Sequence, residues 1–191
     1  MKSLLFLFFA FCQIGFLAAQ NTVPTHWVEN ITHPIIDFGP WTGVYTIEPQ
    51  ALTYNPNLEY KVALDIYDSF KDSTKVNGAL LEVARTYNLL IANGAPRDKV
   101  KIAAVIHAGS VFSILSEEEY LKRYGLSNPN LPLILKLKEA GVELFVCGQN
   151  IGMFQLNAAQ ITPEVKVALS AKTALMTLDQ MGYSFLNVSE K

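Results

Sequence analysis

Cysteine is nearly missing from this chain. There are two in 191 residues, Cys12 and Cys147. Cys12 lies inside an apolar N-terminal run, so Cys147 stands alone in the body of the protein. A single cysteine makes no internal disulfide, and it excludes both Cys-x-x-Cys redox chemistry and cysteine-rich zinc binding. Histidine is scarce too, with three, and His26 and His33 have no cysteine or carboxylate cluster around them, so no metal site is expected. Phosphate loops, the Gly-x-Gly-x-x-Gly fingerprint and the Gly-x-Ser-x-Gly elbow are absent, and no cofactor is expected. Nor is there an excess of one charge: 15 basic residues face 17 acidic ones. A basic face for nucleic acid is therefore unsupported as a bulk property. Beyond the N terminus no apolar run approaches the ~20 residues that a bilayer span needs.

What is present begins with an export signal. Lys2 precedes an almost wholly apolar stretch from Leu4 to Leu17, and Ala18-Ala19-Gln20 offers small residues for cleavage. Residues 1–19 read as a secretory signal peptide, cut after Ala19. The mature protein is expected to be exported, periplasmic in a Gram-negative cell, with no membrane attachment after cleavage. Cys12 follows Phe11, where a lipid-attachment signal wants a small residue. In an oxidising compartment an unpaired cysteine implies either a bond between chains or a reactive thiol. A small, inert core residue is the commoner fate of a free cysteine.

Residues 20–57 read as an irregular N-terminal extension holding Pro24, Pro34, Pro40 and Pro49 and both tryptophans. Trp27, Trp41 and Tyr45 are expected to pack over an apolar face, and Gly43–Ile47 to pair with a sheet edge or a neighbouring chain. Asn30-Ile31-Thr32 and Asn187-Val188-Ser189 match the glycosylation sequon, a short pattern that arises easily by chance.

The α/β domain is placed at 58–191. Tyr60–Tyr67 is a core strand. Gly78–Asn93 has a helical apolar stripe, with Asn77 as N-cap and Gly94 just past its end. Val100–His107, nearly continuous in apolar residues, reads as a strand covered on both faces. Ser116–Glu119 fits a capping box before a short helix. Asn128–Pro132 breaks the chain, Leu133–Ala140 is helical, and Val142–Cys147 is a buried strand. Ile151–Gln160 is expected as a loop with a helical turn. Thr162-Pro163-Glu164 predicts the start of a helix running to about Gln180, and Tyr183–Val188 the final strand. Alternating strands and helices imply a three-layer α/β/α sandwich with a mostly parallel sheet of about five strands.

The chemistry-bearing residues fall at strand ends. In open α/β sheets, ligands collect at the carboxyl ends of strands. Cys147 ends one strand and His107 another, on the same edge. A thiol reacts as its thiolate, which a neighbouring imidazolium or backbone N–H groups favour. Cys147 and His107 are thus the candidate catalytic residues. Asn77, Gly148, Gln149 and Asn150 are the candidate substrate-binding residues: Gly148 lets its N–H approach a bound sulfur or oxyanion, and the amides offer donors. The plainer alternatives are a strand-end histidine held by hydrogen bonds, and turn residues at Gln149 and Asn150. Cys147 with His107 as soft-metal ligands is a third possibility that needs copies from other chains.

The strand Tyr60–Tyr67, Asn77 opening a helix, Val105-Ile106-His107-Ala108-Gly109 and above all Val142-Glu143-Leu144-Phe145-Val146-Cys147-Gly148 make a layout that resembles the DsrE/DsrF-like family. The resemblance runs from about Tyr60 to Val188. It implies a three-layer fold that assembles into homotrimers or homohexamers. In the family's sulfur-relay members, a cysteine after the third core strand accepts sulfur as a persulfide and passes it to a partner thiol, and Cys147 matches that position. Some of these members carry an arginine soon after the cysteine, whereas Gly148–Ala159 has no charged residue. The expectation is an exported sulfur carrier or sulfurtransferase-like protein, with itself and a sulfur donor or acceptor protein as partners. The alternative is a non-enzymatic homo-oligomeric binding protein in which Cys147 is structural.

Overall fold

A computed structural model describes residues 23–188. The expected signal peptide, its cleavage point, Cys12 and the last residue of the second sequon lie outside the described residues.

The N-terminal extension is short pieces pinned to the domain. After helix α1 (Thr25–Val28), strands β1 (Ile31–Thr32) and β2 (Val44–Tyr45) pair with each other, antiparallel. The Gly43–Ile47 stretch therefore finds its partner within the extension and not at the edge of the main sheet. The expected packing of its aromatics is only partial. Trp27, Trp41 and Tyr45 remain about half exposed, with the two indoles edge to face at 5.9 Å.

One buried amide fastens this segment. Asn88 accepts from the N–H groups of Ile35 and Ile36, both at 3.0 Å, and donates to the carbonyls of Ile36 and Thr42, both at 2.8 Å. A buried backbone group left unpaired costs ~1–3 kcal/mol, so a single side chain that serves four of them has a large effect.

The main domain is α/β. Its strands are β3 (Tyr60–Asp68), β4 (Val100–Ala108), β5 (Glu143–Cys147), β6 (Lys166–Ala168) and β7 (Ser184–Val188). They form one five-stranded sheet in the order β6-β5-β4-β3-β7, and every pairing is parallel. The helices are α2 (Gly78–Ala92), α3 (Glu117–Tyr124), α4 (Leu131–Glu139), α5 (Gly148–Met153) and α6 (Ala171–Gln180). Alternating residues divide the sheet into two faces. Val62, Leu64, Ile66, Ile102, Ala104, Ile106, Leu144 and Val146 join the larger core with α2 and α4. Ala63, Ala103, Val105 and Cys147 point the other way, toward Ala171 and Leu178 of α6. Burying one such aliphatic side chain contributes ~1.5–3 kcal/mol.

The helix ends follow the sequence in most places. Asn77 caps α2, its Oδ1 accepting from Ala79 N–H at 2.8 Å and Leu80 N–H at 3.4 Å. Gly94 sits past its end at φ 97°. Ser116 caps α3 by accepting from Glu119 N–H, while the Glu119 carboxylate turns to Arg123. Contact with Gln160 and Arg123 holds that carboxyl below the usual carboxylate range.

The predicted helix from Thr162 to Gln180 is overturned. Thr162 binds the carboxylate of its neighbour Glu164, and its N–H goes to the Ile114 carbonyl at 2.9 Å. The Thr-Pro-Glu start thus closes a turn, not a helix. Lys166–Ala168 then adds to β5 as the edge strand, because pairing to an open ladder satisfies more backbone groups than one helical turn does. The helix begins at Ala171, capped by Ser170 through the Thr173 N–H. The segment expected as a loop with a helical turn, Ile151–Gln160, does contain a helical turn, but the helix, α5, starts earlier, at Gly148, so Gln149 and Asn150 are helical and not turn residues.

Candidate active site

The carboxyl ends of β3, β4, β5 and β6 come together at one edge of the sheet. Parallel register sets Tyr67 beside His107 and Ile106 beside Val146, so Cys147 continues β5 one residue beyond that last pair. Because side chains alternate, Asp65, Tyr67, His107 and Cys147 all belong to the α6 face. The two catalytic candidates thus stand on adjacent strands and on one face.

Their contacts differ. His107 reaches across to β3, where its Nε2 lies 2.7 Å from Asp65 Oδ1. Both side chains are largely buried, at 20% and 23% exposure. The Tyr67 ring lies against the imidazole, with centroids 5.0 Å apart and planes inclined at 47°. Cys147 is 5% exposed, and its sulfur makes no hydrogen bond among the described residues. Its neighbours are small: Ala168 is its partner on β6, and Ala171 opens α6.

The remaining candidates build the frame. Gly148 is packed so closely that a Cβ would lie 2.7 Å from the Ala168 carbonyl oxygen. That contact is itself a reason for glycine, apart from any approach to a ligand. Gln149 donates to the Leu169 carbonyl at 3.1 Å, tying α5 to the end of β6. Asn150 accepts from the Ala108 N–H at 3.0 Å, tying α5 to the end of β4. Asn77 is not brought to the thiol. It is buried on the opposite face, capping α2, with its own N–H donated to Asn130 Oδ1 at 2.7 Å. Among the described residues no cluster of three or more His, Cys, Asp or Glu is placed to hold a metal.

Sequence reading passed over Asp65, Tyr67 and Ala108. A signal for Asp65 was available: it is the one charged residue in Val62-Ala63-Leu64-Asp65-Ile66, a position where a carboxylate needs a partner. Ala108 has φ 52° and ψ −141°, a region that β-carbon sterics disfavour, directly after His107. Nothing in the residue type announces that.

The arrangement offers a thiol at a strand end, an imidazole one strand away and a carboxylate behind it. Such a set can generate a sulfur nucleophile and move one proton.

No curated protein matches the chain. Among solved structures, it is similar to the protein of unknown function MTH1491 from Methanobacterium thermoautotrophicum. The identity is 18% and the TM-score 0.49, over 68% of this chain and 99% of that one. The family model of the DsrE/DsrF-like family matches residues 63–188, a span that takes in two thirds of β3, the whole of β4 to β7, and both Cys147 and His107. This chain belongs to the DsrE/DsrF-like family.

Proposed function

We propose that this is an exported DsrE-like protein that carries sulfur on Cys147. The observation that supports it is the place of the thiol: Cys147 closes an interior strand of the family's parallel sheet, one strand from His107 and on the same face. In this reading the Cys147 thiolate attacks the outer sulfur of a donor persulfide. A sulfur–sulfur bond forms to Cys147, the donor's own sulfur–sulfur bond breaks, and the donor leaves as a thiolate. With thiosulfate the leaving group is sulfite. An acceptor thiolate then attacks the outer sulfur of the Cys147 persulfide and releases Cys147 unchanged. His107 takes the thiol proton and returns it to the departing thiolate. Gly148, Gln149 and Asn150 keep the strand ends in register around the sulfur. A homotrimer or homohexamer, with a sulfur donor or acceptor protein as partner, completes the reading.

Intact-mass spectrometry of the mature protein before and after thiosulfate, and again after reductant, tests it. The expected result is a reversible gain of one sulfur that Cys147→Ser abolishes, on a chain beginning near Gln20. A folded protein whose thiol stays unmodified overturns the carrier reading.

The 5% exposure of Cys147 favours a second reading, a homo-oligomeric binding protein with Cys147 as a core residue. Under it Cys147→Ser leaves the biological function intact.

A further inference from the structure

We infer that Asp65 is a positioning residue that fixes His107 in one tautomer, with Nε2 protonated and Nδ1 as the working nitrogen of the site. The inference rests on the thiol reading above and adds a residue and an atom to it. An ionised carboxylate only accepts hydrogen bonds, so the 2.7 Å contact requires Nε2–H to donate to Asp65 Oδ1. In the neutral ring the lone pair is then on Nδ1. That nitrogen has no hydrogen-bond partner among the described residues.

Among the described residues the ring is held from one side only. Asp65 and Tyr67 are two residues apart on β3 and share a face, so one strand supplies both the hydrogen bond and the ring contact. The thiol comes from the other neighbour of β4. Among the described residues the titratable side chains at this end of the α6 face are therefore Asp65 and Tyr67 from β3, His107 from β4 and Cys147 from β5. The buried face of α6, Ala171, Ala174, Leu175 and Leu178, adds none. A largely buried carboxylate in an apolar strand is costly unless it is paired, and a leucine-like residue would serve the core as well. The pair is accounted for by what it does to the imidazole. When Nδ1 takes the Cys147 proton the ring becomes a cation with both nitrogens protonated, and Asp65 balances that charge. When the proton passes to the leaving thiolate, the ring returns to the Nε2–H form.

The tautomer is read directly on the resting wild-type protein by long-range proton–nitrogen correlation of 15N-labelled material, with His107→Gln to assign the signal. The expected pattern is a protonated Nε2 and a bare Nδ1. A protonated Nδ1 in the neutral ring overturns the inference. In a second measurement, Asp65→Asn is compared with wild type for the rate at which thiosulfate loads sulfur onto Cys147. The expected loss is about tenfold or more, within the range that a positioned acid–base group supplies, with the unfolding midpoint little changed. Loading at the wild-type rate overturns it. A wild-type protein that takes up no sulfur overturns the carrier reading, and the tautomer alone then decides the role of Asp65.

Discussion

Asn150 on α5 holds Ala108, the last residue of β4, in place. Its Oδ1 accepts the Ala108 N–H at 3.0 Å, and Ala108 is bent to φ 52° and ψ −141°. The bend follows His107 directly, so the amide on α5 helps to decide how the histidine strand ends.

Asn150→Ala removes that bond while leaving the strained residue. The expected cost is about 1–2 kcal/mol, read as a lower urea midpoint. Altered His107 ring resonances should accompany it.

Ala108→Gly tests the strain itself. A non-glycine residue in such a region costs ~1–3 kcal/mol, and the added freedom of glycine in the unfolded chain takes back ~0.5–1. The variant is expected to be more stable than wild type by about 1 kcal/mol in denaturant titration.

Gly109→Ala acts in the opposite direction. A Cβ there would lie 2.6 Å from the Phe70 nitrogen and 2.7 Å from the Asp68 carbonyl oxygen. Both are backbone atoms, so the chain after β3 must shift. A loss of about 2–3 kcal/mol is expected, measured by thermal or urea unfolding.

Asn88→Leu should release the N-terminal extension. It strands the N–H groups of Ile35 and Ile36 and the carbonyls of Ile36 and Thr42. At least about 3 kcal/mol is expected, with new protease cleavage between Pro34 and Thr42 while the sheet stays protected in hydrogen exchange.

Tyr120 gives a pH signature. Burial, with Tyr124 and Asp72 nearby, pushes its phenol up to about 12, and its hydroxyl donates to the Ser73 carbonyl at 2.7 Å. The unfolded chain releases this proton near 10. Stability from this group is therefore full below pH 10 and is lost as pH rises from 10 toward 12. Burial also raises Tyr124 and Tyr183, so phenolate absorbance should show a late-titrating group that shrinks in Tyr120→Phe, and that variant should flatten the alkaline fall in stability.

Much of the fold was legible because the signals were local. Val100–His107 is apolar enough to read as a strand buried on both faces, and it is one; Asn77 and Gly94 mark the ends of α2 by their side-chain chemistry alone. The Thr162 segment misled because a helix start and a tight turn use the same residues. What decided between them was the open edge of β5, which local sequence does not reveal. The neighbourhood of Cys147 and His107 followed from strand order. The partner of His107 did not, since a histidine at a strand end has a strand on either side. The choice of β3 over β5 depends on register two residues upstream, at Asp65.

The position of β7 has a consequence for biosynthesis. It comes last in sequence among the described strands, yet it lies against β3 and covers Val62–Ile66, at the heart of the longest apolar strands. Until β7 has been made, β3 presents an unpaired row of backbone groups beside an apolar face, the kind of template on which chains stick together. The nascent domain is thus most vulnerable in the interval before β7 emerges. A chain cut at Gly182, before β7, would keep every candidate active-site residue and still tend to aggregate.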